Sequence, residues 1–385
     1  MNKIAILICA SIYNQKGLFN AAHERVKHLI NISDAQIDLY LISTYKSGIT
    51  RILSNEAQKE RPEIFNKDGL TYRIIWLKNT IIDYVLVHKL KKNRICAFRE
   101  FNKYLPIFKD YNLIIGHTAG SFVWQIYKSY GIPYTLTWHG SDIHTMPFLS
   151  SNFLHETKMH IENAAHNFFV SKALLDTSDK ITSEGHKSVL YNGRDMSFVC
   201  YSEEKKKELK NKHSVANKKI VAFVGNLHPV KNIKSLPAIY KGIYEREKNV
   251  EFWILGDGPL KESLKKSTID LPIRFWGNVQ HEYMADFMNM MDVLVLPSFN
   301  EGLPLVTVEA LSCGCYVVGS RVGGIPESIG IENTISLDDF DFAQKLAERV
   351  FYLLEEQPPI KVDDCFDWNV TAQNENQIIK SILVR

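Results

Sequence analysis

The sequence has few cysteines, and they follow no disulfide-like rhythm. No second pair of cysteine or histidine residues stands at zinc-site spacing from the Cys-x-Cys pair near position 314. Reduced thiols in a cytoplasmic protein are therefore expected. The six cysteines are Cys9, Cys96, Cys200, Cys313, Cys315 and Cys365.

Long apolar runs are missing as well. No stretch approaches the ~20 apolar residues that span a bilayer, so we do not expect a transmembrane protein. The apolar run Ile4–Ala10 is at the lower limit for a signal peptide and is followed by polar residues. It is more typical of the buried first strand of a parallel sheet.

The charge is small overall but unevenly distributed. The net charge is +3, whereas residues 1–195 hold 24 Lys and Arg against 17 Asp and Glu. An excess of basic residues in the first half suggests an anionic partner there, although solvated lysine-rich faces are a commoner cause.

Short apolar runs rich in β-formers recur along the chain, separated by stretches long enough for a helix. This alternation predicts βαβ units and an α/β sheet in each half. The predicted strands are Ile4–Ala10, Ile37–Ser43, Tyr72–Leu77, Leu113–Gly116, Tyr134–Trp138, Asn167–Ser171 and Val189–Tyr191, then Lys219–Val224, Val250–Leu255, Ile273–Trp276, Val293–Pro297 and Cys315–Ser320.

A charged stretch without an apolar stripe, Ser202–His213, separates the two series of strands. We therefore predict a Rossmann-like domain over 1–198, a linker over 199–217 and a second Rossmann-like domain over 218–365. The tail, 366–385, is predicted to be a closing helix, because its apolar residues are spaced along one face.

Several residues suited to binding a ligand follow the predicted strand Val293–Pro297. A loop with Glu301 and Gly302 follows this strand, and Pro304 is well placed to open a helix that carries Glu309. A carboxylate is the usual acceptor for ribose hydroxyls, and the free N–H groups at a helix start can hold a diphosphate. A glycine-bearing turn, Arg321–Glu327, follows the next strand and would close the same site.

The segment Pro297–Glu327 resembles the signature of glycosyltransferase family 4. It contains Pro-Ser-Phe-Asn-Glu-Gly-Leu-Pro, then Glu-Ala-Leu-Ser-Cys-Gly and Gly-Gly-Ile-Pro-Glu, with two glutamates separated by seven residues. The resemblance implies a retaining, metal-independent transferase without a cofactor. It also implies the GT-B fold, an α/β architecture with two Rossmann-like doubly wound domains facing across a cleft and a C-terminal helix that crosses back to the first domain.

By this resemblance, Glu301 contacts hydroxyls of the donor sugar and Glu309 holds the nucleotide ribose. Lys231 matches the cation that grips the donor diphosphate, whereas Asn226 stands where the family has an arginine. His139, in a His-Gly-x-Asp segment, is expected to reach the sugar from the first domain. The donor-binding set implied in this way is Gly225, Asn226, Lys231, Gly256, Gly258, Val279, Glu301, Gly302, Leu303, Pro304, Leu305 and Glu309; His139, Glu301 and Lys231 form the catalytic set.

Three further residues are expected near the reaction centre or acceptor. Gly17 is what is left of the glycine pair that usually follows the family's first strand, and His117 and Asp142 follow predicted strands. A histidine that only satisfies local hydrogen bonds is the alternative interpretation for His117 and His139, and a helix-start carboxylate is the alternative for Glu309.

Two patterns that suggest other chemistry are explained otherwise. Asp339-Phe-Asp341 resembles a metal-binding D-x-D, but it precedes a predicted helix, whose start favours acidic residues. No metal is predicted. Gly256-Asp-Gly258 lacks the third glycine and the downstream acid of a dinucleotide fingerprint, so an oxidoreductase is poorly supported.

The segment 81–105 combines apolar and aromatic residues with several cations. Such a stretch can lie on an anionic membrane surface, and an ordinary amphipathic helix with a charged outer face is the equal alternative. Nucleic acid is not an expected partner, because no nucleic-acid module accompanies the charge.

The sequence thus predicts transfer of a sugar from a nucleoside-diphosphate donor to an acceptor hydroxyl, in the assembly of a surface polysaccharide or glycolipid. The expected acceptor is a saccharide or lipid-linked saccharide, and the expected location is cytoplasmic or peripheral at the inner face of the cytoplasmic membrane. A nucleotide-sugar epimerase of the same fold and a non-catalytic binding or scaffold protein remain as alternatives.

Overall fold

The computed structural model describes residues 1–13, 17–46, 60–92, 95–118 and 120–384. The chain forms two compact units. The first contains Met1–Gly193 together with Trp368–Arg385, and the second contains Arg194–Asp367.

The first unit is built on an eight-stranded sheet in the order β3-β4-β2-β1-β5-β6-β7-β8. Its pairings are parallel except β3 with β4, which is antiparallel. The strands are β1 (Lys3–Cys9), β2 (Gln36–Lys46), β3 (Ile64–Lys67), β4 (Leu70–Asn79), β5 (Leu113–His117), β6 (Tyr134–Trp138), β7 (His166–Phe169) and β8 (Lys187–Val189).

Helices accompany these strands, as βαβ connections require. They are α1 (Leu18–Ile32), α2 (Ile81–Tyr84), α3 (Cys96–Phe101), α4 (Gly120–Tyr130), α5 (Ser141–His144), α6 (Ser151–Asn163), α7 (Lys172–Ile181) and, from the end of the chain, α15 (Trp368–Leu383). The segment 81–105 does not form one helix, because a π-helix, Val85–Lys89, separates α2 from α3, and residues 93–94 lie outside the described part.

The second unit is a six-stranded parallel sheet in the order β11-β10-β9-β12-β13-β14. Its strands are β9 (Lys219–Val224), β10 (Val250–Leu255), β11 (Ile273–Gly277), β12 (Val293–Leu296), β13 (Tyr316–Ser320) and β14 (Thr334–Ile335). Its helices are α8 (Glu203–Lys212), α9 (Leu236–Arg246), α10 (Lys261–Ser267), α11 (His281–Met290), α12 (Leu305–Ser312), α13 (Ile325–Ile329) and α14 (Phe342–Glu356).

The central strands are buried on both faces, which explains their near-continuous apolar sequences. Ile4 to Ile8 of β1 are fully buried, and the same holds for Val293 to Leu296 of β12. In the first unit, α1 and α15 cover one face of the sheet, with Val26 and Ile379 in the shared core.

The segment 199–217, predicted to be a linker, lies within the second unit and contains α8. Lys210 of this helix pairs with Asp292 at 3.1 Å, and Asp292 also accepts a hydrogen bond from the N–H of Ile220. Its lack of an apolar stripe is consistent with a helix that has no fully buried side chain.

No helix within the described ranges is long and apolar enough to cross a membrane. The Asp339-Phe-Asp341 pattern immediately precedes α14, and both carboxylates pair with Lys345 of that helix, at 3.3 and 3.0 Å. The acidic pair therefore has a local ion-pair partner at a helix start, as expected from the helix dipole.

Candidate functional site

The predicted donor-binding residues of the second unit lie at the carboxyl ends of its strands, where ligands bind in open α/β sheets. Backbone hydrogen bonds join the loops there into one rim. Gly225 N–H donates to Leu255 O and Gly256 N–H to Gly277 O, at 2.9 and 2.7 Å. Further along, Gly324 N–H donates to Gly302 O at 2.7 Å.

Close backbone approach explains several glycines of this rim. Gly256 has φ of +136°, and a Cβ there would overlap the carbonyl oxygen of Gly225. Gly323 has φ of +50°, and its Cβ would overlap the carbonyl oxygen of Glu301. Any side chain at either position would push adjacent loops apart.

Asn226, which replaces the expected arginine, faces the neighbouring loop. Its Oδ1 atom would lie 2.6 Å from a Cβ placed on Gly258. Next to it, Leu227 exchanges backbone hydrogen bonds with Asp257 and Leu260. The amide side chain thus packs against the Gly258 loop. The two loops are joined here although position 226 carries no cation. Val279 follows β11 and packs on the core of the second unit.

An ion pair joins two of the predicted residues. Lys231, in the short 3-10 turn Pro229–Lys231, donates to Glu301 Oε1 at 2.5 Å. Ser298 Oγ donates to the same oxygen at 2.7 Å, and the Ser298 carbonyl accepts a hydrogen bond from Ser320 Oγ. Both ionic side chains are mostly buried, with 22% and 10% exposed. The pair therefore places one fixed positive and one fixed negative group at the strand ends.

Glu309 lies on α12, which begins at Leu305 after the N-cap residue Pro304. The side chain is half-buried, and the exclusion of water raises the pKa of its carboxyl to about 7. His281 lowers this pKa, and the negative charge of Asp195 raises it. The carboxyl therefore changes charge near neutral pH, unlike an ordinary surface glutamate. Leu303, directly before Pro304, is buried.

Two charged groups that were not recognised from the sequence, His281 and Asp195, act on the pKa of Glu309. His281 Nε2 at the start of α11 lies 3.5 Å from Asp195 Oδ2. The hydrogen bond to His281 is the main reason why the pKa of Asp195 is held well below its usual range. Sequence spacing gave no sign of this pair, because 86 positions separate its members.

The predicted residues of the first unit also lie at strand ends. His117 ends β5 and His139 follows β6, and His117 Nδ1 is 3.1 Å from His139 Nε2. Burial lowers the pKa of His139 to about 3 and that of His117 well below 6.5, and the charge of Arg25 adds to both shifts. Both imidazoles are therefore neutral at physiological pH.

Asp142 shapes the turn that carries His139. Its carboxylate accepts the backbone N–H groups of His139, at 3.1 Å, and of Gly140, at 2.8 Å. Gly17, at φ of +26°, is the N-cap residue of α1. Its sequence neighbour Lys16 lies outside the described residues.

A cavity of about 470 Å³ opens at the strand ends of the first unit. Apolar side chains, among them Phe98, Phe122 and Phe153, share its lining with the hydroxyls of Thr44 and Thr137. The volume lies in the range of small-molecule sites.

Within the described ranges, one group of side chains has the composition of a metal site: His23, Glu24 and Asp68. His23 already has two partners, Tyr72 Oη at 2.8 Å and Asp68 Oδ2 at 3.0 Å. The group thus links α1 to the β3–β4 hairpin. It includes none of the predicted site residues.

The family and curated proteins agree on one class. The model of the family described as "Glycosyl transferases group 1" matches residues 218–356. The putative teichuronic acid biosynthesis glycosyltransferase TuaC of Bacillus subtilis is 30% identical over 268 residues, which cover 68% of this chain and 66% of TuaC. The N-acetyl-alpha-D-glucosaminyl L-malate synthase of Bacillus anthracis is 26% identical over 49% of this chain and 51% of its own length. The alignments thus span less than two thirds of these relatives.

Solved structures match over nearly the whole chain. Anabaena HepE in complex with UDP aligns with a TM-score of 0.70 and 17% identity over 99% of this chain and 97% of its own. Sucrose-phosphate synthase from Thermosynechococcus elongatus aligns with a TM-score of 0.69 and 18% identity over 100% and 95%. At such identities the likeness concerns the fold alone. The chain thus has the GT-B fold, and its residues 218–356 carry a domain of the glycosyl transferases group 1 family.

Proposed function

We propose that this protein is a retaining glycosyltransferase that uses a nucleoside-diphosphate sugar and needs no metal ion. The observation that carries the proposal is the ion pair of Lys231 and Glu301 on the same strand-end rim as the half-buried carboxyl of Glu309. A nucleotide sugar carries a diphosphate, ribose hydroxyls and sugar hydroxyls, and this rim offers a cation and two carboxylates that can bind them.

In the proposed reaction the bond between the anomeric carbon and the diphosphate breaks, and a bond to the acceptor oxygen forms on the same face of the sugar. The acceptor proton goes to the departing phosphate. The protein supplies positioning and charge stabilisation: Lys231 and helix N–H groups at the leaving diphosphate, Glu309 at the ribose, and Glu301 and His139 at the sugar.

Lys231 is neutralised by Glu301 before a donor binds. We expect the diphosphate to compete with Glu301 for the ammonium group and release the carboxylate for the sugar hydroxyls. Donor binding and the activation of Glu301 would then be one event. Such coupling favours a complete donor over a free nucleotide diphosphate, because only the complete donor has sugar hydroxyls that can donate hydrogen bonds to the released carboxylate.

The acceptor is proposed to enter the cavity of the first unit, whose apolar side chains, threonine hydroxyls and the carboxyls of Asp142 and Glu156 suit an amphiphilic or saccharide molecule. The similarity to a putative teichuronic acid biosynthesis glycosyltransferase supports a role in the assembly of a surface polysaccharide or glycolipid.

The proposal is tested by titrating the protein with UDP-, GDP- and ADP-sugars in a calorimeter and then assaying transfer. Binding of one donor followed by transfer to a saccharide or lipid-linked acceptor, with the anomeric configuration kept in the product and the rate unchanged by EDTA, is expected. Conversion of the donor without an acceptor would instead identify an epimerase. Binding of no donor would favour a scaffold protein.

We also propose peripheral contact of the segment 81–105 with an anionic membrane. Its apolar side chains Ile82, Tyr84 and Leu90 are more than half exposed. Exposed cations accompany these apolar side chains. In addition, Ser150 Oγ donates to Lys91 O at 2.7 Å, so the exposed apolar turn that precedes Ser150 lies next to the segment. The cations are Lys89, Lys92, Arg99 and Lys103, and the turn contributes Phe148 and Leu149.

Flotation with phosphatidylglycerol vesicles tests this contact. The double variant Lys89→Glu/Lys92→Glu should lose binding, since each cation near an anionic surface contributes about 1 kcal/mol. Lys207→Glu/Lys212→Glu, with the same charge change on exposed positions of α8, is the control and should bind normally. Equal binding of both variants would contradict the contact.

A further inference from the structure

A buried ion pair joins α1 to α15 in the layer that these helices form over the sheet. Arg25 Nε donates to Glu375 Oε2 at 2.6 Å, and each side chain is 1% exposed. Their positions in the chain are 350 residues apart, because Glu375 belongs to α15. Burial of a charge pair costs free energy of solvation that the attraction often only balances. A purely packing role would be served as well by apolar residues.

The ion pair leaves the cation only partly satisfied. Within the described ranges, Arg25 Nη1 and Nη2 have no hydrogen-bond partner, and the same holds for Glu375 Oε1. The guanidinium carbon instead lies 5.0 Å from the centre of the Phe168 ring. A buried cation with one counter-ion and an aromatic face exerts its field over several ångströms, since little water screens it.

The sheet register places His117 on the face of the sheet that Arg25 contacts through Phe168. His117 of β5 is opposite Thr137 of β6, which in turn is opposite Phe168 of β7. Registered residues of neighbouring parallel strands point to the same face. Ile115, two positions before His117, packs in the core that includes Val26 of α1. Arg25, His117 and Thr137 therefore share the layer between the sheet and α1.

The hydrogen bond between the histidines has room for one proton. His117 Nδ1 and His139 Nε2 are 3.1 Å apart, so one nitrogen must donate and the other accept. A further proton on either ring would add a positive charge near Arg25, and on the accepting nitrogen it would also set two N–H groups against each other. Two carboxylates of the described residues belong to the same surroundings: Glu375 pairs with Arg25, and Asp142 accepts the N–H of His139.

We propose that Arg25 is a positioning residue that acts through the His117–His139 pair: held by Glu375, its buried cation disfavours a further proton on either ring, so that His139 stays neutral and keeps its hydrogen bond to His117. Glu375 thereby makes α15 part of this device. The use of His139 at a donor sugar rests on the proposed function, whereas the protonation of the pair can be measured without any substrate.

The experiment is NMR titration of histidine side chains in the full chain, labelled with ¹⁵N on the imidazoles. Arg25→Met should shift the titration midpoints of His117 and His139 upward, towards neutral pH. Arg25→Lys, which keeps the charge, should leave them low. Lys27→Met, the same charge change on an exposed position of α1, should shift neither.

Glu375→Gln separates an electrostatic role from a merely structural one. It removes the counter-ion but keeps the cation, so the midpoints should stay low or fall further, opposite in sign to Arg25→Met. If both variants moved the midpoints upward, or Arg25→Met moved them no more than Lys27→Met, the proposal would be overturned.

A variant that fails to fold does not end the test. The double variant Arg25→Met/Glu375→Leu replaces the buried ion pair by apolar groups, a change that proteins often tolerate or gain stability from. It should again raise both midpoints. Unchanged midpoints in the folded double variant would contradict the proposal, whatever the donor or acceptor of the enzyme is.

Discussion

The two units use the same type of sheet but place groups of different charge at their strand ends. The second unit carries ionised groups there, Lys231 with Glu301, and a carboxyl at Glu309 that titrates near neutrality. The first unit carries two imidazoles that burial and a buried cation keep neutral. The fold decides where a site forms, whereas the side chains after each strand decide which charge it can bind.

This difference fits a division of tasks. A charged diphosphate needs a counter-charge, and an ion pair that already exists can exchange one partner for the ligand. Acceptor hydroxyls carry no net charge and can be bound by neutral donors and acceptors held in fixed orientations. The predictions below alter one side of the comparison at a time.

The largest effect is expected for Lys231→Met. It removes the cation proposed to stabilise charge on the leaving diphosphate, so kcat should fall about 10²- to 10³-fold. Lys234→Met, an exposed lysine in the following turn, is the matched control and should retain activity. Equal rates for the two variants in a transfer assay would show that Lys231 is not at the reacting diphosphate.

Glu309→Gln should change the pH dependence of stability. The folded pKa of Glu309, about 7, is raised above the ordinary 4.5. Because the unfolded chain loses this proton first, the free energy of unfolding of the wild type falls as pH rises from 4.5 to about 7. The cost amounts to about 3 kcal/mol above the folded pKa.

Thermal unfolding at about pH 5 and pH 8 measures this cost. Glu309→Gln should unfold at a higher temperature than the wild type at the higher pH and close to it at the lower. The exposed Glu355→Gln on α14 serves as the control. A variant with no gain at the higher pH would mean that the carboxyl is not desolvated.

The smallest effect is expected in the first unit. His139→Gln removes one neutral hydrogen bond to the sugar, so kcat/KM should fall about tenfold, while donor affinity stays near the wild-type value. Since the pKa of His139 is about 3, its protonation should add no acid limb to the rate profile above about pH 5. The exposed His155→Gln is the control. A histidine-dependent acid limb near pH 6.5 would contradict the neutral pair.

Much of the fold can be predicted from the sequence, because buried parallel strands have short, nearly continuous apolar sequences. Three strands have the bounds predicted from the sequence: Tyr134–Trp138, Lys219–Val224 and Val250–Leu255. The prediction omits β3 and β14. One is a half-exposed four-residue hairpin strand and the other has two residues, and neither is long enough to produce a periodic pattern.

The candidate site likewise has features that the local sequence predicts and features that it does not. Local motifs predict Glu301, Glu309 and Lys231 as site residues, since short spacing and turn chemistry fix their positions after strands. The contact of Lys231 with Glu301 and that of His117 with His139 depend on strand order, which a single sequence does not display. The Arg25–Glu375 pair is further from prediction, because the two residues lie on different amphipathic helices, and a charged residue of such a helix is normally assigned to its solvent face.

The most direct test of the account is the donor affinity of Glu309→Ala. Calorimetric titration should identify one nucleotide sugar that binds the wild type, and the variant should bind it at least about tenfold more weakly, because a carboxylate that accepts ribose hydroxyls contributes about 1.5–3 kcal/mol. Wild-type affinity in a correctly folded Glu309→Ala protein would contradict the assignment of the second unit as the nucleotide-sugar site.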